Sequence, residues 1–141
     1  MGIKGRGWLG LSRTFAWRVG LVKALFDTNI LIDYLNGIEA AKEEIKRYPH
    51  IAISLVTWME VMVGTKPEEE AAIRQFLARF ALIPLNTSIA ERAVEIRQAT
   101  KIRLPDAIIR ASAEVEHALL VSRNTKDFPE GEPWVRVPYR L

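Results

Sequence analysis

The hydrophobic period of this chain changes between Phe26 and Leu31, and that change limits the folds open to it. Ala24-Leu25-Phe26 is a short continuous apolar run, the pattern of a strand buried on both faces of a parallel sheet. Beyond it the apolar positions fall at Leu31, Tyr34, Leu35 and Ile38, the spacing of a helix. Asp27-Thr28-Asn29 sits at the junction. A carboxylate at the C-terminal end of a strand, opening onto a helix, stands where open α/β sheets bind their ligands. These residue types also cap helices, so Asp27 has a structural reading as an N-cap beside the functional one.

The same alternation recurs along the chain. Glu39 to Arg47 reads as a short charged helix closed by Tyr48-Pro49, and Ile51-Ala52-Ile53-Ser54 as a second strand. Thr57 and Glu60 match a capping box, which predicts a helix that stops at Gly64. Pro67 and three glutamates open a predicted long helix with an apolar stripe at Ala72, Ile73, Phe76, Leu77 and Phe80. Leu82-Ile83-Pro84-Leu85 reads as a third strand ending, or lying at an edge, at Pro84. Thr87 or Ser88 is the expected cap of the next helix, whose stripe is Ile89, Ala93 and Ile96. Pro105 fits the first position of a further helix, with Asp106 beside it. Leu119-Leu120-Val121-Ser122 reads as a fourth strand, residues 123–129 as a turn-rich loop, and Val135-Arg136-Val137 as a short last strand. Strands separated by helices predict an α/β fold, a mostly parallel sheet with helices on both faces and its strand-to-helix junctions at one end.

Composition narrows the chemistry. A chain of 141 residues, 49% of them apolar, suits one globular domain. It has no cysteine, which excludes disulfides, zinc ribbons and thiol catalysis and makes a reducing cytoplasm the expected compartment. With only two histidines, any metal must be held mainly by oxygen, which favours Mg²⁺ or Mn²⁺. The net charge of +3 comes from one end. Residues 1–23 carry Lys4, Arg6, Arg13, Arg18 and Lys23 and no acid, and the remaining 15 bases face 17 acids. A general basic surface for nucleic acid is therefore absent. Residues 1–21, rich in glycine and arginine with Trp8 and Trp17, read as a disordered basic arm or as residues upstream of the native start, and 22–141 as the domain. Arg13 and Arg18 break every apolar run that a signal peptide would need, and no stretch is long enough to span a membrane.

Four acids stand at or near these junctions: Asp27 after the first strand, Glu60 after the second, Asp106 before the fourth and Asp127 after it. Each has a structural reading: helix cap, capping-box partner, complement to a helix dipole, turn residue. Those readings predict no clustering, whereas a metal site requires it. Carboxylates packed together raise one another's pKa values unless a cation lies between them.

Phe26-Asp27-Thr28-Asn29, Thr57-x-x-Glu60, Leu104-Pro105-Asp106-Ala107 and Ser122-x-Asn124-Thr125-x-Asp127-Phe128 together resemble the ordered motifs of PIN-domain proteins. The likeness is to the VapC-type ribonuclease toxins of toxin–antitoxin pairs, including the FitB-like branch, and it covers roughly residues 22–137. The resemblance implies a PIN-like α/β/α sandwich with Asp27, Glu60 and Asp106 as principal metal-site carboxylates. Asp127 is then the fourth, with Asn124 as a polar neighbour and Thr28 or Asn29 orienting Asp27 or a water. It implies Mg²⁺- or Mn²⁺-dependent hydrolysis of RNA phosphodiester bonds, with one or two ions lowering the pKa of a bound water. It also implies a homodimer and a small antitoxin that carries a basic side chain into the acidic cleft. Arg103, Arg110, Arg123 and Lys126 are candidate phosphate contacts, and Trp58, Met59 and Met62 candidate antitoxin contacts. Each has a plainer reading as solvated charge or core.

Two other classes compete. One is a non-catalytic PIN-like module that binds RNA or protein. The other is a phosphatase on an α/β sheet, against which Asp27-Thr28-Asn29 lacks a second aspartate two residues on. A dinucleotide- or P-loop fold is excluded, because no glycine-rich loop follows the first strand.

Overall fold

A computed structural model describes residues 23–141. The expected basic arm at 1–21 lies outside these described residues. Five strands, β1 (Lys23–Phe26), β2 (His50–Ser54), β3 (Ala81–Ile83), β4 (Leu119–Val121) and β5 (Val135–Arg136), form one sheet in the order β3-β2-β1-β4-β5. Every neighbouring pair is parallel. The chain builds outward from β1 through β2 to β3, then returns to the other side of β1 for β4 and β5. The switch point of the sheet therefore falls between β1 and β4, where crevices open in such folds.

The apolar runs divide between two faces because successive strand side chains point opposite ways. Leu25, Ala52, Leu120 and Val135 face one core, which is closed by α5 (Thr87–Ala99), α6 (Leu104–Val115) and Phe128. Ala24, Phe26, Ile53, Leu119 and Val121 face the other. That second core is covered by α1 (Thr28–Leu35), α2 (Glu39–Lys46), α3 (Leu55–Val63) and α4 (Glu70–Leu77). The expected α/β/α sandwich is thus present, and its sheet is parallel throughout. No helix among the described residues is long and apolar enough to cross a membrane.

Several local expectations are corrected. Thr57 and Glu60 do not form a capping box. Strand β2 runs directly into α3, and Ser54 is the N-cap, its Oγ accepting from the Val56 amide at 3.1 Å. Thr57 lies inside the helix and is fully buried. The long helix expected after Pro67 is a 3₁₀ turn, Pro67–Glu69, followed by the eight residues of α4. Asn86, one residue before the expected caps, closes the N-terminus of α5 by accepting from the Ile89 amide at 2.9 Å. Pro105 occupies the second position of α6, not the first. Strand β3 is at the sheet edge and stops just short of Pro84, as expected from the missing amide proton.

A buried charge ties the far edge of the sheet to the helical layer. Glu44 of α2 is 4% exposed and accepts two bonds from the Arg136 guanidinium of β5, at 2.6 and 3.0 Å. It accepts a third from the Tyr48 hydroxyl at 2.7 Å. Burial first, then the Glu44 charge, raises the Tyr48 pKa well above its ordinary value. Breaking a buried ion pair from one side costs about 3–5 kcal/mol. Glu44→Ala should therefore lower unfolding free energy by about 3 kcal/mol in urea titrations, and Glu44→Gln by clearly less, since it keeps acceptor capacity and volume.

Candidate active site

Strand β1 delivers Asp27 to the switch point. Its carboxylate is 4% exposed and serves two purposes at once. One oxygen caps α1, accepting from the Thr28 amide at 2.7 Å. The other accepts from Ser122 Oγ at 2.6 Å and Asn29 Nδ2 at 3.1 Å. The helix-cap reading of Asp27 is therefore correct, and it is no alternative to a place in the site. Burial raises the pKa of Asp27; the bonds from Ser122 and Thr28 pull it back, and the Glu60 charge pushes it up again.

Glu60 reaches the same place from the exposed side of α3. Its Oε1 lies 2.5 Å from Thr28 Oγ1, which in turn lies 2.9 Å from Thr57 Oγ1. A hydroxyl has one proton to give. Thr28 donates its proton to the Glu60 carboxylate, and the buried Thr57 donates to Thr28. The spacing of Thr57 and Glu60 thus has a meaning other than a helix cap: the two residues grip Thr28 from one face of α3.

Asp106, in the first turn of α6, registers the whole cluster. Burial pushes its pKa up to about 6, helped by the charges of Asp27, Asp127 and Glu60 and opposed by Arg103. Three acids from a strand end, a helix and a loop are thus all within electrostatic reach of a fourth. Asp127 is set by its own loop: Asn124 Nδ2 donates to its Oδ2 at 3.1 Å, and its amide donates to Asn124 Oδ1 at 3.2 Å. The charges of Asp27, Glu60 and Asp127 all act on Asp106, and Thr28, Asn29 and Asn124 each hydrogen-bond to one of these acids.

All the charged donors here are oxygens, a set suited to a hard divalent cation. The electrostatics suit it as well: burial first, then the charges of Asp27, Asp127 and Glu60, raise the Asp106 pKa, and a cation there would offset the carboxylate repulsion. No group of three or more acids or histidines among the described residues is already drawn together as a ready-made cage.

The candidate basic contacts separate into two kinds. Arg103 and Lys126 are exposed, and Arg103 is near enough to act on Asp106. Arg110 is engaged elsewhere, paired with Glu114 at 3.0 Å and lying over the Trp134 ring at 4.5 Å. Arg123 is taken up by Asp33, at 2.6 and 3.0 Å. Neither is a free phosphate contact. Of the apolar candidates, Met59 is 46% exposed, whereas Met62 packs on the core and Trp58 is half-buried with Arg74 over its ring. Val63 on α3 and Ile32 on α1, 86% and 38% exposed, were not singled out from the sequence.

Ser122 was also missed as a site residue. Its signal lay in register: Phe26 pairs with Val121, so the residues that follow, Asp27 and Ser122, emerge side by side. Asp33 was missed as well, although it is an acid on the inward stripe of α1 between Leu31 and Leu35.

The chain matches the family model of the PIN domain over residues 24–131. It is 31% identical over 113 residues to ribonuclease VapC10 of Mycobacterium tuberculosis, covering 74% of this chain and 85% of that protein. A toxin–antitoxin complex from Klebsiella pneumoniae contains a chain with 50% identity and a TM-score of 0.80, covering 84% of this chain and 100% of that one. FitAcB from Neisseria gonorrhoeae shares the fold at 20% identity and a TM-score of 0.66, over 84% of this chain and 99% of that one. With its acids gathered at the switch point of a parallel sheet, this chain belongs to the PIN-domain family.

Proposed function

We propose that this chain is a metal-dependent endoribonuclease, the toxin of a toxin–antitoxin pair, with Asp27, Glu60, Asp106 and Asp127 as its catalytic acids. What supports the reading is the hydrogen-bonded junction at Thr28, whose amide donates to Asp27 and whose hydroxyl donates to Glu60, beside an Asp106 on which the other acids act. The 31% identity to a ribonuclease and the 50% identity to a chain of a toxin–antitoxin complex support it. The homodimer and the cytoplasmic setting belong to the same proposal.

Asp27, Glu60, Asp106 and Asp127 would hold Mg²⁺ or Mn²⁺. Such an ion supplies neutralisation of the scissile phosphate and activation of the attacking water. The protein's own contribution is orientation. Ser122 and Asn29 fix the outer oxygen of Asp27, Thr28 holds Glu60, and Asn124 holds Asp127. Arg103 and Lys126 stand at the rim as contacts for flanking phosphates. An RNA strand would be repelled by four bare carboxylates, so substrate and cation enter this cleft as a linked pair. The antitoxin is assigned to the apolar surface of Ile32, Met59 and Val63, close in sequence to Thr28 and Glu60.

End-labelled structured RNAs, tRNA among them, test the nuclease directly. Cleavage at defined positions should require Mg²⁺ or Mn²⁺, stop in EDTA and fall on the order of 100-fold in Asp106→Asn. RNA that is bound but never cut would favour the non-catalytic module.

The acid cluster should also be visible in stability. The folded-state pKa of Asp106, about 6, lies above its ordinary 3.8, so folding takes up a proton between those values. In EDTA the wild type should become more stable as pH falls from 7 to 5. In Asp106→Asn that gain should shrink, and its melting temperature at pH 7.5 should exceed wild type by about 3 °C, an effect reduced by solvent screening of a half-exposed group. Mn²⁺ at pH 7.5 should raise the melting temperature of the wild type and not of the variant. For the antitoxin surface, Val63→Glu should leave cleavage intact and abolish inhibition by the co-expressed antitoxin, read by cleavage assay and co-purification.

A further inference from the structure

Asp33 is 6% exposed and carries three donors on its carboxylate. Arg123 approaches it bidentately, Nε to Oδ2 at 2.6 Å and Nη2 to Oδ1 at 3.0 Å, and the Tyr139 hydroxyl donates to Oδ2 at 2.8 Å. Among the described residues, these bonds join the three side chains to one another and not to the four acids. The position of Arg123 in the chain gives the arrangement its interest. Its predecessor, Ser122, donates to Asp27. Its successor, Asn124, donates to Asp127 and binds Ser122 Oγ through its own amide at 2.9 Å.

Helix α1 grips this middle residue twice. The Arg123 amide donates to Asn29 Oδ1 at 3.2 Å, and its guanidinium is held by Asp33. Asn29 and Asp33 are four residues apart, one turn along the same helix face. The helix whose N-terminus is capped by Asp27 thus clamps both the backbone and the side chain of the residue between Ser122 and Asn124. A shift of the 122–127 loop by one residue would break the buried pair and exchange both donors to the acids.

We propose that Asp33 is a positioning residue for the acidic site: its clamp on Arg123, closed by Tyr139, holds the loop in the register where Ser122 serves Asp27 and Asn124 serves Asp127. This rests on the nuclease reading above for its effect on cleavage, and on the acid cluster alone for its effect on cation binding. Tyr139 also packs on the core, which makes the C-terminal tail part of the clamp.

The test compares the full-length wild type with Asp33→Asn, Arg123→Lys and Tyr139→Phe. Three quantities are read well below the melting temperature: fraction folded by circular dichroism, Mn²⁺ affinity from the electron paramagnetic resonance signal of free Mn²⁺, and single-turnover RNA cleavage. Supports that orient metal ligands typically govern about 10–100-fold in affinity or activity. Asp33→Asn and Arg123→Lys should remain folded, bind Mn²⁺ about tenfold more weakly and cleave correspondingly slowly. Tyr139→Phe, which keeps the bidentate pair, should lose about twofold to threefold. The double variant Asp33→Asn/Arg123→Lys should be no worse than the weaker single, because both act through one contact. Folded variants with wild-type Mn²⁺ affinity and rate would reduce Asp33 to a stabilising ion pair and overturn the proposal. If Asp33→Asn does not fold, the two milder variants decide by the same comparison. A wild type that binds Mn²⁺ without cutting RNA overturns the nuclease reading and leaves the Mn²⁺ comparison to judge the clamp, and one that binds no Mn²⁺ overturns both.

Discussion

Burial of carboxylates at the carboxyl end of this sheet, with repulsion between them added to it, is the cost against which that end is built. Neutral donors restrain three of the four: Ser122, Asn29 and a helix amide on Asp27, Thr28 on Glu60, Asn124 on Asp127. Asp106 has no such donor among the described residues, and burial and its three neighbours raise its pKa to about 6. Neutral donors hold a carboxylate in place without cancelling its charge. The cleft keeps both its shape and its negative potential, which is what a cation site requires.

Several of the arginines are engaged with other acids, while Arg103 acts on Asp106. Arg123 is spent on Asp33, Arg110 on Glu114 and Arg136 on Glu44. Each of these pairs also joins segments of the fold or steadies one: α1 to the loop after β4, one turn of α6 to the next, α2 to β5. Charge segregation and architecture are therefore served by the same contacts.

The layered fold was legible because its strands are short apolar runs and its helices carry clear inward stripes. Both follow from burial on two faces of a parallel sheet. The acids were legible by position, each lying next to a junction between elements. Hydrogen bonds between residues far apart in the chain were not. Thr57 and Glu60 have the spacing of a capping box, and nothing local reveals that Ser54 caps the helix one turn earlier. Arg123 reads as a free base because its partner lies 90 residues away. Asp33 offered the one usable hint, since an ionised side chain on an inward stripe must have a buried partner. Register between β1 and β4, once known, also predicts the meeting of Asp27 and Ser122.

The strand order has a consequence for how the site comes into being during synthesis. Strand β1 is made early yet lies in the middle of the sheet, and its second neighbour, β4, is not made until Leu119–Val121. Until then one edge of β1 is open, Asp27 lacks Ser122, and the loop bearing Asp127 does not exist. The tail residue Tyr139 is later still. A nascent chain that has emerged only as far as Val121 therefore has Asp27, Glu60 and Asp106 but neither Ser122 nor Asp127. The four acids can act together only once the chain has been made as far as Asp127.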